Sequence, residues 1–103
     1  MIKPLLKPSR DVDKILRIFI TEKPCLGCGR PLYNDPHHLK TRGAGGGDRD
    51  NMVPLCRVCH TEAHMKGPKF MDGIVLKRTG KHMKEWAIIY TAEYDEEITG
   101  NPF

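Results

Sequence analysis

Apolar residues recur with a helical period near both ends of this chain and lose that period in the middle. Val12, Ile15, Leu16 and Phe19 fall at i, i+3, i+4 and i+7, the spacing that lines up one face of an α-helix. Ser9 stands where an N-cap belongs, Asp11 lies near the first turn and Pro24 stops the pattern, so an amphipathic helix is predicted over 10–22. Toward the other end Met83, Trp86, Ala87, Tyr90 and Tyr94 trace a second face from about Lys81 to Ile98, with Gly100 and Pro102 closing the chain. Its aromatic residues share that face with aliphatic ones and therefore read as core, not as a platform for stacked bases. In between, short segments around 30–40 and 51–55 bracket the run Gly43-Ala44-Gly45-Gly46-Gly47, which predicts a β-hairpin with a long mobile loop. Residues 57–65 lack glycine and proline, follow a cysteine pair and precede Gly67 and Pro68, so a further helix is predicted there. The stretch 68–80 fits a loop, a short strand or an extension of that helix equally well.

At 103 residues the chain has room for one domain, read as a helical segment 1–23, a core 24–67 and an extension 68–103. Only 39% of the residues are hydrophobic, so a modest core is expected, and chains this short often supplement apolar burial with a disulfide, a metal or a partner. The first ten residues hold no apolar run long enough for a signal peptide, and no stretch of about 18 apolar residues could span a membrane. The expected compartment is the reducing cytoplasm, where paired cysteines suggest metal before disulfides. Charge is unevenly spread. All 17 Lys and Arg fall in residues 1–84 with 8 of the 13 acids, a balance of +9, while residues 85–103 carry −5. A basic body of this kind suits a polyanion, although solvated lysines alone would give the same balance.

Cys25-Leu26-Gly27-Cys28 and Cys56-Arg57-Val58-Cys59 are two Cys-x-x-Cys pairs whose spacing lets four thiolates reach one tetrahedral zinc ion. Gly27 and Gly29 suit a tight knuckle with backbone amides turned toward sulfur, and the second pair would open the helix that follows it. An all-sulfur site has no open position, so its expected contribution is folding energy. A redox dithiol would need a thioredoxin-like βαβ context that the sequence lacks.

Four of the 5 histidines, His37, His38, His60 and His64, cluster around these cysteines. His60 and His64 stand four apart, which on a helix puts both rings on one face, in reach of one ion. His37 and His38 are neighbours in a predicted strand and so point to opposite faces. One can ligate a metal while the other addresses a nearby water, the division of labour that hydrolysis needs. Asn51, at the start of the returning strand, is placed to hydrogen-bond the histidine region and fix its tautomer.

The ordered run Cys25-x-x-Cys28, Pro36-His37-His38-Leu39, Gly45-Gly46-Gly47-Asp48, Asn51-Met52-Val53-Pro54-Leu55-Cys56-x-x-Cys59-His60 and His64 resembles the HNH endonuclease family in its zinc-containing form, and looks similar to small phage-type and RecA-dependent members. The resemblance implies an α+β fold with a ββα-metal, treble-clef-like core stapled by a four-cysteine zinc and flanked by N- and C-terminal helices. It implies that His38 is the general base, that Asn51 positions it, and that His60 matches the final histidine of the motif. By similarity to DNase colicins, His37, His60 and His64 would hold one catalytic divalent ion. Many relatives have Asp where this chain has His37, and three imidazoles favour zinc, nickel or manganese over magnesium. A nuclease of phage origin would work in the bacterial host cytoplasm.

The expected activity is metal-dependent hydrolysis of DNA phosphodiester bonds, with Lys40, Arg42, Arg49 and Arg57 as candidates for contacts to backbone phosphates. The glycine run lacks the Gly-Lys-Ser/Thr ending of a P-loop, so a nucleoside triphosphate site is not expected. The rivals are a zinc-dependent DNA-binding module without catalysis, and a zinc adaptor using its acidic tail as a protein contact. DNA is the expected partner, within a larger nucleic-acid-processing assembly or alone; the sequence leaves the oligomeric state open.

Overall fold

Asp13 takes an extended backbone conformation and its carboxylate accepts the Leu16 amide at 2.9 Å, which starts the first helix, α1 (Lys14–Thr21). The computed structural model describes residues 13–99; Ser9, Asp11, Val12, Gly100 and Pro102 lie outside them. The chain continues through β1 (Asp35–His38), a 3-10 turn at Arg42–Ala44, β2 (Met52–Leu55), α2 (Arg57–Lys66), α3 (Pro68–Thr79) and α4 (Met83–Thr99). This is a small α+β molecule with a two-stranded antiparallel sheet, in keeping with the expected fold class.

Helix α1 departs from its expected form in two ways. It begins at Lys14, where Asp13 supplies the cap, while Arg10, the expected start, lies outside the described residues. Its buried face is Leu16 and Ile20 with Phe19 packed beside them, while Ile15 is exposed. The face toward the sheet is thus Leu16, Phe19 and Ile20, and Ile20 takes the place assigned to Ile15.

Strand β1 is shorter than 30–40 because its approach is committed elsewhere. The Cys25 amide donates to the Arg30 carbonyl at 2.8 Å, the Asn34 amide to Thr21 at 3.0 Å, and Tyr33 turns through a positive φ of 60°. Buried Asn34 donates its side-chain amide to the Lys23 and Arg30 carbonyls, fastening the exit of α1 to the hairpin. β2 is buried at every position, covered by α1, α2 and α4 and flanked by the Leu26 amide, which donates to Pro54 at 3.0 Å.

The glycine run is not a long mobile loop. The Ala44 and Gly46 amides donate to the Thr41 carbonyl, and the Asn51 side chain grips the loop from inside, donating to the Gly47 and Lys40 carbonyls and accepting the Lys40 amide. Glycine is needed where the backbone passes closest: a Cβ on Gly46 would stand 2.1 Å from the Lys40 carbonyl oxygen.

The ambiguous stretch becomes α3, which starts at Pro68 after Gly67 (φ 96°) has ended α2, and ends at left-handed Gly80. It buries Met71 and Val75. The α4 stripe is core as expected: Met83, Ala87, Tyr90 and Tyr94 are buried, Tyr94 packs on Phe19 at 5.5 Å between centroids, and half-buried Trp86 stacks on Tyr90. The Trp86 indole donates to the Thr79 hydroxyl at 2.8 Å, joining α3 to α4. No helix of the described residues is long and apolar enough to cross a membrane.

Gly46→Ala should lower stability by about 1–3 kcal/mol, the usual cost of forcing a methyl group into filled space. Chemical denaturation of the zinc-loaded protein checks this, and an unchanged midpoint would mean the loop is not held against Lys40.

Candidate metal centres and active site

The knuckle between α1 and β1 carries Cys25 and Cys28, and the start of α2 carries Cys56 and Cys59. Their four sulfurs all lie within 4.8 Å of one another, and Cys28 and Cys56 are 3.7 Å apart. A tetrahedral ion with Zn–S bonds of about 2.3 Å has edges of about 3.8 Å, so the donor set fits zinc. The Gly27 amide points to the Cys25 sulfur at 3.3 Å and the Cys59 amide to the Cys56 sulfur at 3.5 Å, partly offsetting thiolate charge. A Cβ on Gly27 would stand 2.7 Å from the Cys59 sulfur, which is why the knuckle needs glycine there. Burial raises the Cys56 thiol, but the Cys59 amide and the neighbouring sulfurs outweigh it and bring it to about 7. Burial pushes Cys59 well above the ordinary thiol range, so a bound cation must displace its proton.

The alternation of β1 separates the paired histidines as expected. His37 is buried at 7% exposure and faces α2, where its ring meets those of His60 and His64 edge-on, at 5.0 and 5.3 Å between centroids. One nitrogen from each of these three rings lies within 4.8 Å of the others. The Nε2 atoms of His60 and His64 face each other at 2.9 Å, and the buried Nδ1 of His37 has no hydrogen-bond partner among the described residues. An orphaned imidazole nitrogen beside two converging ones is a donor set that a single cation would satisfy. Burial, then the nearby imidazoles, lower the His37 pKa to about 4, so at neutral pH the ring is uncharged and keeps one nitrogen lone pair for a cation.

His60 is aimed by Asp35, whose carboxylate accepts Nδ1–H at 2.9 Å and leaves Nε2 for the cluster. Arg57 donates to both oxygens of Asp35, at 2.9 and 3.3 Å, and this contact with that of His60 holds the carboxyl below its usual range.

His38, half-buried on the other side of β1, has its Nε2 at 2.8 Å from Asp48. Asp48 is fully buried, and it also accepts the Asp13 amide at 2.7 Å and the Arg17 guanidinium at 3.0 and 3.2 Å. Burial alone would raise this carboxyl, but His38, Asp13 and Arg17 together bring it below the usual range. An ionised carboxylate only accepts, so Nε2 carries the proton and Nδ1 of neutral His38 carries the lone pair. Asp48 stands in the motif run, but the sequence alone assigns it no role. Its place directly after the glycine run was the only signal, and its partner Arg17 lies 31 positions away.

Asn51 does not bond to a histidine side chain. Its amide is spent on Lys40 and Gly47, and its carbonyl accepts the Leu39 amide, so it acts on His38 only through the backbone that follows it. Of the proposed phosphate contacts, Arg57 is tied to Asp35, and Arg49 is paired with Asp95 and lies 3.8 Å from Asp13. Lys40 is exposed, and the Arg42 side chain lies outside the described part of the structure.

Residues 25–66 match the family model of HNH endonucleases, a span that holds both the four-cysteine site and the three-histidine cluster. The chain is also similar to the uncharacterized protein YdfU of Escherichia coli (strain K12), with 40% identity over 72 residues, covering 66% of this chain and 20% of that protein. The chain thus spans about a fifth of the length of this curated relative. No solved structure matches the chain.

Elemental analysis after equilibration with zinc should find two ions per chain, and His60→Ala/His64→Ala should retain one. Equal zinc content in both proteins would remove the histidine centre. Asp48→Asn should cost about 1–3 kcal/mol by leaving Arg17 and His38 without their anion. It should also shift the His38 tautomer balance, read from ring nitrogen chemical shifts; an unchanged balance would show that Asp48 does not set it.

Proposed function

We propose that this protein is a metal-dependent endonuclease that hydrolyses phosphodiester bonds in DNA. His38 acts as general base, and His37, His60 and His64 hold one divalent ion apart from the structural zinc of Cys25, Cys28, Cys56 and Cys59. The observation that carries this reading is the split across β1, with one imidazole converging on two others and its neighbour held by a buried carboxylate. The match of residues 25–66 to a nuclease family supports the same reading.

A divalent ion bound by the three histidines would supply Lewis-acid stabilisation of the phosphate and of the charge growing on the departing 3′-oxygen. The remaining chemistry belongs to side chains of this protein. The Nδ1 lone pair of His38 takes a proton from the attacking water as the water oxygen bonds to phosphorus and the bond to the 3′-oxygen breaks. The imidazolium that results lies against Asp48, which is anchored by Arg17 and favours the charge. The leaving oxygen takes a proton from solvent, and the products are 5′-phosphate and 3′-hydroxyl ends. Asp35 keeps His60 in the tautomer that offers Nε2, while Asn51 fixes the loop after β1 and with it the path of the backbone beyond His38.

Supercoiled plasmid is the direct test, with the zinc-loaded protein assayed first without added metal and then with magnesium, manganese, nickel or further zinc. Nicking should appear with at least one ion, and His38→Ala should reduce it by about 10²–10⁴-fold, the usual worth of a general base, while zinc content and helicity stay unchanged. Full activity in His38→Ala would refute the assignment of the base. Plasmid binding with no nicking under any ion would instead leave a zinc-dependent DNA-binding module.

A further inference from the structure

Helices α3 and α4 meet at a corner outside the span that matches the nuclease family, and this corner forms one wall of a cleft of about 560 Å³ whose opposite wall is His37 and Leu39. A second hollow of about 420 Å³ lies under the glycine loop and is lined by Lys40 and Asn51. The two hollows meet at Leu39 and Lys84, which border both, and so form a groove leading from the glycine loop past the metal-facing histidine to the start of α3.

The charges of this groove are not equally available. Two of its three carboxylates are occupied: Asp72 accepts the Met83 amide at 2.8 Å and bonds the His82 ring at 2.7 Å, and Glu85 accepts the His82 amide at 2.8 Å, while Asp50, under the glycine loop, is exposed with no cationic partner among the described residues. Lys69 and Lys84 are exposed at its border and have no carboxylate partner among the described residues. Arg49 and Arg57, the cations that the sequence favoured, are instead held by Asp95 and Asp35. Leu39, Pro68 and Met83 give the groove an apolar floor between these cations. Cations at the rim of an apolar floor suit a polymer with phosphates at regular spacing and flat, weakly polar groups between them.

We propose that this groove binds a nucleic-acid strand, with Lys69 and Lys84 on backbone phosphates that flank the phosphate at the histidine centre. The inference rests on the nuclease reading for its substrate, but assigns the grip to the C-terminal extension, where neither the sequence motifs nor the family match places it.

The test measures binding of a fluorescent DNA oligonucleotide to the full, zinc-loaded chain in a His38→Ala background, so that the probe stays intact. Lys69→Gln/Lys84→Gln should raise Kd by about tenfold near 0.1 M salt and flatten the slope of log Kd against log salt by about two. Lys14→Gln/Lys77→Gln, the same charge change away from the groove, should do neither. Circular dichroism on both variants separates loss of contact from loss of fold, and the single variants Lys69→Gln and Lys84→Gln stand in should the double variant misfold. Equal Kd and slope in the two double variants, or no DNA binding by the parent chain, would overturn the proposal. Lysine-dependent binding by a chain that never nicks plasmid would leave the groove standing and remove the nuclease reading. Nicking with binding indifferent to the two lysines would do the reverse.

Discussion

Four sulfur atoms on two separate segments of the chain must come within bonding distance of one point, and the placement of the functional side chains depends on that constraint. A sheet of two four-residue strands has little stability of its own. The convergence of Cys25 and Cys28 with Cys56 and Cys59 ties the knuckle after α1 to the first turn of α2. That fixes where α2 starts relative to β1, and so where His60 and His64 stand relative to His37. Arg78 of α3 extends the same support by donating to the Leu26 carbonyl at 2.6 Å, which packs the C-terminal helices onto the knuckle. A metal bound there would contribute to catalysis only by holding this geometry.

Within that frame the site repeats one arrangement on the two sides of β1. Arg57 holds Asp35 and Asp35 orients His60; Arg17 holds Asp48 and Asp48 orients His38. Each imidazole has its tautomer set by a carboxylate whose charge is secured by a guanidinium. The difference lies in exposure. Asp48 is fully buried and makes contacts from the α1 cap as well, whereas Asp35 lies near the surface with a largely exposed arginine. His38 is therefore locked more firmly than His60. This suits the proposed roles, because a bound cation would itself orient His60, while among the described residues Asp48 alone orients His38.

What could be read in advance was what depends on spacing along the chain. The i, i+4 pair His60/His64, the opposite faces of His37 and His38, both Cys-x-x-Cys pairs and the α4 stripe are local patterns, and the structure has them where periodicity put them. What could not be read depends on contacts between distant segments. The α1 face was placed on Ile15 by periodicity, which fits Ile15 and Ile20 about equally well, and the start of the helix is fixed by the contact of Asp13 with Asp48. The glycine run looked slack because glycine permits disorder as well as close approach; it is the Asn51 side chain, inside the loop, that decides between them. Asn51 itself was expected to touch a histidine, since both are polar and neighbouring in the hairpin, but backbone groups of the loop offered it more hydrogen bonds.

Net charge was the weakest guide of all, for a physical reason. The excess of basic residues in 1–84 and of acidic residues in 85–103 suggested a cationic body with a separate acidic contact surface. Helix α4 folds back on that body, and Asp95 and Glu93 pair with Arg49 and Lys23, so part of the asymmetry is offset internally. A cation already paired has less to gain from a phosphate, because it must first give up its carboxylate. On the proposed reading, recognition of a polyanion is left to lysines that the fold does not consume. Their position at the α3–α4 corner, across the cleft from His37, would make the C-terminal extension part of the site and not an appendage to it.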